Sequence, residues 1–562
     1  MDIRTDELLL AKAYHWEATT PDRIFLTQPT GGGEAVDYTW RETMTEARKV
    51  AAHLRSLNFP PKSQIALMGK NSAHWIITDL GIWMAGHVTV PLYPTLAANT
   101  VRQILEHSES KILFVGKLDD WEQMKAGVPD GMAMISLPLA PPESGIEWEK
   151  ISGETEPIAD NPHREPDDMA TIVYTSGTTG EPKGVMLTFG AMGTACREFE
   201  TILDFSRNAD GSGKDRVISY LPLAHVYERV AIESNSIYYA MHIFFAESLQ
   251  TFVQDLQRAR PTIFQSVPRL YLKFQAGVFA KMPKEKLERL LKIPLIGWLV
   301  RRKVLKGLGL DQCRMAICGA APVPVEVLEW YRGLGLELLE AYGMTENCAY
   351  SHLPPPGKVR VGYVGVSNPG VETRISEEGE VQVKSPGTMK GYFKLPELTA
   401  ESFTEDGFLK TGDMGEIDQD GYLRITGRIK ELFKTSKGKY VAPAPIENQL
   451  ISNPYIEQAC VTGPEFPQPF ALILLSDEAR GLAADGEGRG TIQSELETLI
   501  EQVNQDLDPH ERLAFLAVVK DQWEIDNGMI TPTMKIKRHV IEKTYSPNFQ
   551  GWADAKAPVV WQ

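Results

Sequence analysis

Apolar residues in the first 120 positions form short continuous runs that alternate with longer stretches of helical spacing. A helix is predicted from about Asn71, a buried strand follows around Val88–Leu92, and the stretch LEHSESKILFVG repeats the change from helix to strand. The same alternation resumes from residue 170 to about 340. Strands that alternate with helices favour parallel sheets covered by helices.

The pattern changes twice more along the chain. Residues 138–168 are rich in Pro, Glu and Asp, which is typical of a surface connection, and residues 355–425 hold short β-rich pieces separated by glycines. After Arg428 comes a compact α+β stretch of about 130 residues. We therefore predict an α/β protein: residues 1–427 form a large domain with two parallel-type αβ-layered sheets and a small β-barrel, and residues 428–562 form a separate α+β domain.

Composition narrows the class of protein. The 562 residues are 43% hydrophobic and 23% charged, an ordinary globular composition, and the net charge of −16 argues against a nucleic-acid partner. Five cysteines without C-x-x-C spacing indicate reduced thiols. The N-terminus does not resemble a cleavable signal, and no apolar run reaches the roughly 18 residues that span a bilayer. The sequence predicts a cytoplasmic enzyme.

A loop rich in small and hydroxyl residues follows the predicted strand MATIVYTS. Residues 174–188 read YTSGTTGEPKGVMLT, where small residues let backbone N–H groups approach phosphate oxygens. The hydroxyls of Thr175, Ser176, Thr178 and Thr179 can donate further hydrogen bonds, and Lys183 adds a positive charge. The spacing differs from that of a P-loop NTPase. A flexible surface turn is the alternative, and the preceding strand and following lysine argue against it.

This segment resembles the signature of the adenylate-forming superfamily, which includes acyl-CoA synthetases, luciferases and the adenylation domains of peptide synthetases. The family's other motifs follow in order: CGAAP at 318–322, YGMTE at 342–346, TGD at 411–413, GRIKE at 427–431 and TPTMKIKR at 531–538. The resemblance extends over about residues 10–545. It implies that ATP and coenzyme A are substrates and that Mg²⁺ is a cofactor.

The resemblance also implies roles for single residues. Tyr342 would stack on adenine, Thr345 would hold the α-phosphate, and Asp413 would bind the ribose. Lys535 would bridge carboxylate and phosphate oxygens during adenylation, with Lys537 and Arg538 as neighbouring alternatives. The implied nucleotide-binding residues are Thr175, Ser176, Gly177, Thr178, Thr179, Gly180, Lys183, Gly319, Ala320, Ala341, Tyr342, Asp413 and Arg428, and the implied magnesium ligands are Glu346 and Thr178.

The segment LPLAHVYERV at residues 221–230 is similar to the acyl-pocket motif of long-chain fatty acyl-CoA synthetases. That similarity places His225 near the substrate carboxylate; a buried histidine with satisfied hydrogen bonds is the alternative. The implied activity is ATP-dependent ligation of a long-chain fatty acid to coenzyme A through an acyl-adenylate, with release of AMP and pyrophosphate. The implied catalytic residues are Lys535, Thr345, Glu346 and His225.

Three other functions share parts of this pattern. A fatty acyl-AMP ligase that loads a carrier protein and a medium-chain or aryl acid ligase share the adenylation motifs. A catalytically silent lipid-binding relative is disfavoured, since Lys183, Glu346, Asp413 and Lys535 are all present. The chain departs from the family by one extra residue before Gly438 and by Pro445 in place of a glutamate, which concerns the thiol side of the reaction. In the family the C-terminal domain is a mobile lid, and Lys430 has the hinge position.

The segment 281–306 runs against the acidic trend of the chain. It carries nine Lys and Arg and two Glu around the apolar stretch 293–300, which includes Trp298. Basic residues that flank apolar ones are typical of a helix at a membrane surface. We predict peripheral membrane contact here, with a solvated helical hairpin whose apolar stripe faces the core as the alternative.

Overall fold

The computed structural model describes residues 3–176, 181–208, 211, 213–319, 321, 323–484, 486–525, 527–531 and 535–562, with only the backbone of Ser176. The chain divides into two compact units. The first comprises Met1–Ala321, Leu328–Thr373 and Val383–Leu409, and the second comprises Pro322–Val327, Arg374–Gln382 and Lys410–Gln562. The predicted boundary near Arg428 stays a prediction.

An eight-stranded sheet organises the first unit. In spatial order its strands are Gly391–Tyr392, Pro182–Thr188, Met169–Ser176, Val88–Leu92, Gln64–Met68, Leu113–Val115, Met134–Ser136 and Ile146–Glu147. Neighbouring strands from Met169–Ser176 onward are parallel, whereas the two strands before it pair antiparallel. Residues on both faces of Val88–Leu92 are buried, as expected for a parallel strand covered by helices.

Three further sheets in the described part of the chain belong to this unit. A four-stranded sheet has the order Arg216–Ser219, His242–Phe245, Ile24–Gly31 and Glu34–Thr39. A three-stranded parallel sheet has the order Ile263–Ser266, Met315–Cys318 and Leu338–Glu340, and His352–Leu353 pairs with Val366–Ser367. The predicted strand MATIVYTS coincides with Met169–Ser176.

Helices follow most of these strands, and several begin where a side chain caps the first turn. Thr39 caps Trp40–Ser56 in a reciprocal capping box with Glu42, and Ser72 caps Ala73–Met84. The other α-helices before residue 410 are Leu9–Thr19, Ala98–Ser108, Trp121–Met124, Trp148–Glu154, Phe189–Phe199, Val226–Glu228, Asn235–Tyr239, Phe252–Ala259, Pro268–Lys281, Lys284–Leu291, Pro294–Gly307, Val325–Leu334 and Pro396–Glu401. A π-helix spans Arg229–Ser234, and short 3₁₀ helices span Thr5–Glu7, Lys125–Gly127, Thr345–Asn347 and Ile429–Glu431.

The second unit contains a sheet with apolar clusters on both faces. Its order is Ile456–Thr462, Phe470–Leu475, Leu516–Val518 and Val559–Trp561, with the first pair antiparallel and the others parallel. Its helices are Pro443–Leu450, Asp477–Ala483, Gly486–Asp506 and Arg538–Asp554, and Phe433–Lys434 pairs with Tyr440–Val441. Where the chain passes between units, a four-stranded sheet has the order Glu372–Ile375, Glu380–Lys384, Leu409–Ile417 and Leu423–Arg428.

The predicted fold class is confirmed: the protein is a mixed α/β structure with a large N-terminal part and a C-terminal domain. Within the described ranges, no helix has the length and apolar character that crossing a membrane requires.

Candidate functional site

The predicted phosphate loop connects two paired strands. Thr175 lies opposite Lys183 and Ser176 lies opposite Pro182 in the antiparallel pair that flanks the connection. Gly177, Thr178, Thr179 and Gly180 lie outside the described residues, so their phosphate-binding roles stay predictions. Gly184, just past the lysine, must be a glycine, because an added Cβ would lie 2.7 Å from the Ile172 side chain.

Tyr392 brings Lys183 and Glu346 to the same place. Its strand pairs with the strand of Lys183, and the Lys183 Nζ lies 5.7 Å from the centre of the Tyr392 ring. The Tyr392 hydroxyl donates a 2.8 Å hydrogen bond to Glu346 Oε1. Burial and the neighbouring Glu346 carboxylate raise the pKa of Tyr392 above its ordinary value, so the phenol remains a donor. A cation and a carboxylate thus lie on either side of Tyr392, next to the strand that follows the predicted phosphate loop.

Sequence reasoning missed Tyr392. The residue lies in the short segment MKGYFK, which carries no motif of its own. Its importance follows from a strand pairing that brings Gly391 opposite Met186, far away in the chain. The only feature of the sequence that could have pointed to Tyr392 is an aromatic residue between two lysines.

The CGAAP and YGMTE motifs follow neighbouring parallel strands, Met315–Cys318 and Leu338–Glu340. The Ala341 N–H donates to the Cys318 carbonyl at 2.8 Å, which fixes the two strand ends together. Carboxyl ends of adjacent parallel strands are a common place for ligands to bind. The structure therefore brings Gly319, Ala341 and Tyr342 to one sheet edge, while Ala320 lies outside the described residues.

Two contacts hold the YGMTE turn. The Tyr342 backbone exchanges 3.0 Å hydrogen bonds with His352, and an added Cβ at Gly343 would lie 2.6 Å from the Ala349 backbone. The turn leads into the 3₁₀ helix Thr345–Asn347, where Thr345 is buried and Glu346 is half-buried. Only a glycine at position 343 lets the chain turn so tightly.

His225 caps the helix Val226–Glu228. Its Nδ1 accepts a 3.1 Å hydrogen bond from the Tyr227 N–H, so this nitrogen is unprotonated. Its side chain is partly exposed. Both the catalytic role and the structural alternative are compatible with this cap, and the predicted role stays a prediction.

A narrow cavity lies beside these elements in the first unit. Most of its lining is apolar, including Phe199, Val230 and Met241, and Ala341 brings it next to the YGMTE turn. Its volume is about 30 Å³, which is room for about two water molecules. A longer ligand would have to displace lining side chains.

In the second unit, Asp413 and Arg428 lie opposite each other on paired strands. The Arg428 Nε donates to Asp413 Oδ1 at 2.8 Å, and Asp413 is buried whereas Arg428 is half exposed. The Thr411 hydroxyl accepts from the Asp413 N–H at 3.1 Å and donates to the Val381 carbonyl at 2.6 Å. The two predicted ribose-side residues are thus one rigid pair.

Within the last motif, Arg538 and Lys535 lie in different surroundings. Arg538 donates to both carboxylate oxygens of Glu447, at 2.6 and 3.0 Å, and to the Val461 carbonyl at 2.7 Å. Although burial opposes its charge, Glu447 raises the pKa of Arg538 above the ordinary value. Arg538 therefore fastens its helix to the unit, whereas Lys535 is exposed. The catalytic role predicted for Lys535 stays a prediction.

No group of three or more His, Cys, Asp or Glu side chains that could hold a metal ion occurs among the described residues. A single carboxylate at Glu346 suits Mg²⁺ when phosphate oxygens and water supply the remaining ligands. Thr178, the other predicted ligand, lies outside the described part of the chain. The donors present fit a magnesium ion that arrives with a nucleotide.

The chain resembles known proteins over most of its length. Residues 13–393 match the family described as AMP-binding enzyme, and residues 431–551 match the AMP-binding enzyme C-terminal domain. The chain is 30% identical to long-chain-fatty-acid–CoA ligase FadD15 of Mycobacterium bovis, with 96% of each chain covered. It is 30% identical to human long-chain-fatty-acid–CoA ligase 1, over 85% of this chain and 76% of that one.

Solved structures share the fold. The adenylation domain of a carboxylate reductase from Mycobacterium chelonae superposes with a TM-score of 0.80 at 20% identity, covering 97% of this chain and 91% of that one. The anthranilate CoA ligase AuaEII, in complex with anthranoyl-AMP, gives a TM-score of 0.78 at 19% identity, covering 98% and 100%. At these identities the likeness concerns the fold.

Proposed function

Because the chain belongs to the AMP-binding enzyme family, as its ordered motifs predicted, we propose that it is an ATP-dependent acid–CoA ligase. The observation that carries this proposal is the linked set Lys183, Tyr392 and Glu346 beside the phosphate loop. A scaffold that had lost its activity would have no reason to keep a cation and a carboxylate oriented there.

The chemistry brings two anions together. A carboxylate oxygen bonds to the α-phosphorus of ATP while the bond to pyrophosphate breaks, and the thiol of coenzyme A then displaces AMP from the acyl carbon with loss of one proton. Lys183 places a fixed positive charge beside the phosphates. Tyr392 holds one oxygen of Glu346 and so fixes the carboxylate, which would hold a magnesium ion when one is bound. Magnesium, when bound, supplies further charge neutralisation.

We propose a long-chain fatty acid as the acid. Relatives that are 30% identical over most of their length carry the name long-chain-fatty-acid–CoA ligase, and the lining of the cavity is mainly apolar. Each buried methylene contributes about 0.8 kcal/mol, so an apolar lining selects by chain length. Because the cavity is narrow, the alkyl chain of the acid must push lining side chains apart when it binds.

The decisive experiment measures pyrophosphate and AMP from ATP, magnesium and saturated acids of graded length, with and without coenzyme A. Thioester formed only with coenzyme A supports the ligase. Adenylate that accumulates without conversion would instead favour the carrier-loading enzyme, and aryl acids preferred over palmitate would favour an aryl acid ligase. ADP as product, or no cleavage of ATP, would contradict the proposal altogether.

We further propose that residues 281–306, the basic helix pair, contact a membrane surface. In the helix Pro294–Gly307 the exposed fractions are 81% for Leu295, 54% for Trp298 and 58% for Leu299. These side chains face solvent, which argues against an apolar stripe packed on the core. Peripheral contact would suit an enzyme whose acid substrate partitions into lipid. The predicted cytoplasmic location stays a prediction.

A further inference from the structure

The narrow cavity described above also contains polar side chains. Tyr227, Asn235, Gln265, Asn368 and His352 line it together with the apolar residues, and both ring nitrogens of His352 already have hydrogen-bond partners. Asn235 is 4% exposed and Gln265 is 6% exposed. A cavity that served only an alkyl chain would be expected to have hydrocarbon at these positions.

Two of these side chains are oriented by the same backbone carbonyl. Gln265 Nε2 donates to the Ala231 carbonyl at 2.9 Å, and Asn235 Nδ2 makes a longer 3.4 Å contact with the same oxygen. Ala231 belongs to the π-helix Arg229–Ser234, a rare conformation that occurs often at functional sites. Because the amide nitrogens face this carbonyl, the free atoms are the two oxygens, Asn235 Oδ1 and Gln265 Oε1.

Neither oxygen receives a hydrogen bond from any residue that the structure describes, and the same holds for the Tyr227 hydroxyl and Asn368 Oδ1. Buried acceptors without donors are unfavourable and uncommon in folded proteins. A cluster of them around one cavity therefore indicates that a ligand supplies the missing donor.

The π-helix that carries Ala231 is held firmly on its other side. Arg229 pairs with Asp79 at 2.6 Å, is fully buried, and lies over the rings of Trp75 and Trp83 at 5.1 and 5.7 Å. These contacts fix the π-helix that carries Ala231. The acceptors thus remain in place for an incoming group.

Given the proposed ligase activity, on which this inference rests, we propose that the acid substrate carries a hydroxyl group on its chain and that this hydroxyl donates its hydrogen bond to one of the two amide oxygens, Asn235 Oδ1 or Gln265 Oε1. A hydroxyl suits the site better than an ammonium group, since no described lining residue is a carboxylate. It can also accept from the Tyr227 hydroxyl while it donates to an amide oxygen. The cavity would then select a hydroxylated acid over a plain one.

The test compares kcat/KM for palmitate with that for monohydroxypalmitates that carry the hydroxyl at successive positions. We expect at least one positional isomer to exceed palmitate by about tenfold, as one buried hydrogen bond provides. Asn235→Leu and Gln265→Met, which keep side-chain size but remove the acceptors, should reduce that ratio to about twofold or less. Met241→Leu, in the same lining, is the control and should keep it.

Each outcome decides the matter. If wild-type enzyme treats palmitate and every hydroxylated isomer alike, bound water satisfies the amides and the inference is wrong. A preference that survives both substitutions would also overturn it. Should the variants fail to fold, the wild-type series alone gives the answer. Absence of pyrophosphate release with every acid would contradict the proposed function, which is a separate failure.

Discussion

Tyr392 illustrates how one side chain can organise charges that come from distant parts of the chain. Its hydroxyl holds Glu346 by a hydrogen bond to an ionised group, and its ring lies under the Lys183 ammonium. Without this hydroxyl, Glu346 would lose its fixed orientation, whereas Lys183 would keep its contact with the aromatic ring. The two contributions can therefore be separated by changing the hydroxyl alone.

We expect Tyr392→Phe to lower kcat for pyrophosphate release by about tenfold or more, since a hydrogen bond to a charged group contributes about 1.5–3 kcal/mol. The magnesium concentration for half-maximal rate should rise, because Glu346 is less well oriented. Steady-state kinetics across a magnesium titration measures both effects. Tyr440→Phe removes an exposed hydroxyl and serves as control. An unchanged magnesium dependence would mean that Glu346 does not hold the ion.

Lys535 and Lys537 lie two positions apart, and the half-reactions can distinguish them. Lys535→Ala should lose most adenylation while it still converts supplied acyl-adenylate and coenzyme A to thioester, because its charge serves only the first step. Lys537→Ala is the matched control and should keep both. Equal loss of both half-reactions in Lys535→Ala would mean that the catalytic lysine is wrongly assigned.

At the scale of elements, the helix that follows His225 is unusual because it contains a fully buried carboxyl group, that of Glu228. Glu228 is buried and accepts hydrogen bonds from the Ser219 hydroxyl at 2.8 Å and the Tyr220 N–H at 3.0 Å. Burial raises the pKa of Glu228 to about 8, although these hydrogen bonds oppose the shift. The helix Val226–Glu228 is therefore most stable when this carboxyl is protonated.

This shift predicts a dependence of stability on pH. The folded state retains a proton that the unfolded chain releases near pH 4.5, so the free energy of unfolding should fall as pH rises from about 5 to 8. Glu228→Gln stays neutral, and at pH 8 we expect it to exceed wild type in stability by about 3–4 kcal/mol while the two agree near pH 5. Urea unfolding at several pH values measures this. Glu405→Gln, at an exposed position, is the control; parallel curves for wild type and Glu228→Gln would refute the buried charge effect.

At the scale of the whole molecule, charge is distributed unevenly. The chain carries a net −16, whereas the basic helix pair has nine Lys and Arg against two Glu, a local excess of +7. Within the same helix pair, Leu295, Trp298 and Leu299 expose apolar surface. Attraction to anionic lipid contributes about 1 kcal/mol for each basic residue near the surface and weakens with salt.

The protein should therefore float with vesicles that contain anionic lipid, and less so at high salt. Reversal of charge at Arg302 and Lys303, or replacement of Leu295 and Trp298 by Ser, should reduce the bound fraction severalfold. Arg301 is best left intact, since its Nε donates to the Gly333 carbonyl at 2.8 Å. Reversal at the exposed Lys437 and Lys439 is the control. Equal flotation of all variants would exclude this surface as the contact.

Much of the fold and the identity of the motifs could be predicted from the sequence. The alternation of helices and strands, the strand Met169–Ser176 and the order of the motifs are local features, so contiguous residues reveal them. Contacts across long separations could not be predicted in the same way. Tyr392 meets Glu346 and Arg538 meets Glu447 because strands and helices far apart in the chain pack together, and no local pattern encodes those pairs.

The sequence by itself determined the α/β class and the family, and it predicted which residues bind a nucleotide, since each depends on hydrophobic periodicity or on short contiguous motifs. Only the tertiary structure decided that Glu447 is the partner of Arg538, which apolar residues of the helix Pro294–Gly307 face solvent, and which amides surround the cavity. Burial and partnership are properties of packed neighbours, and neighbours in space are chosen by the fold.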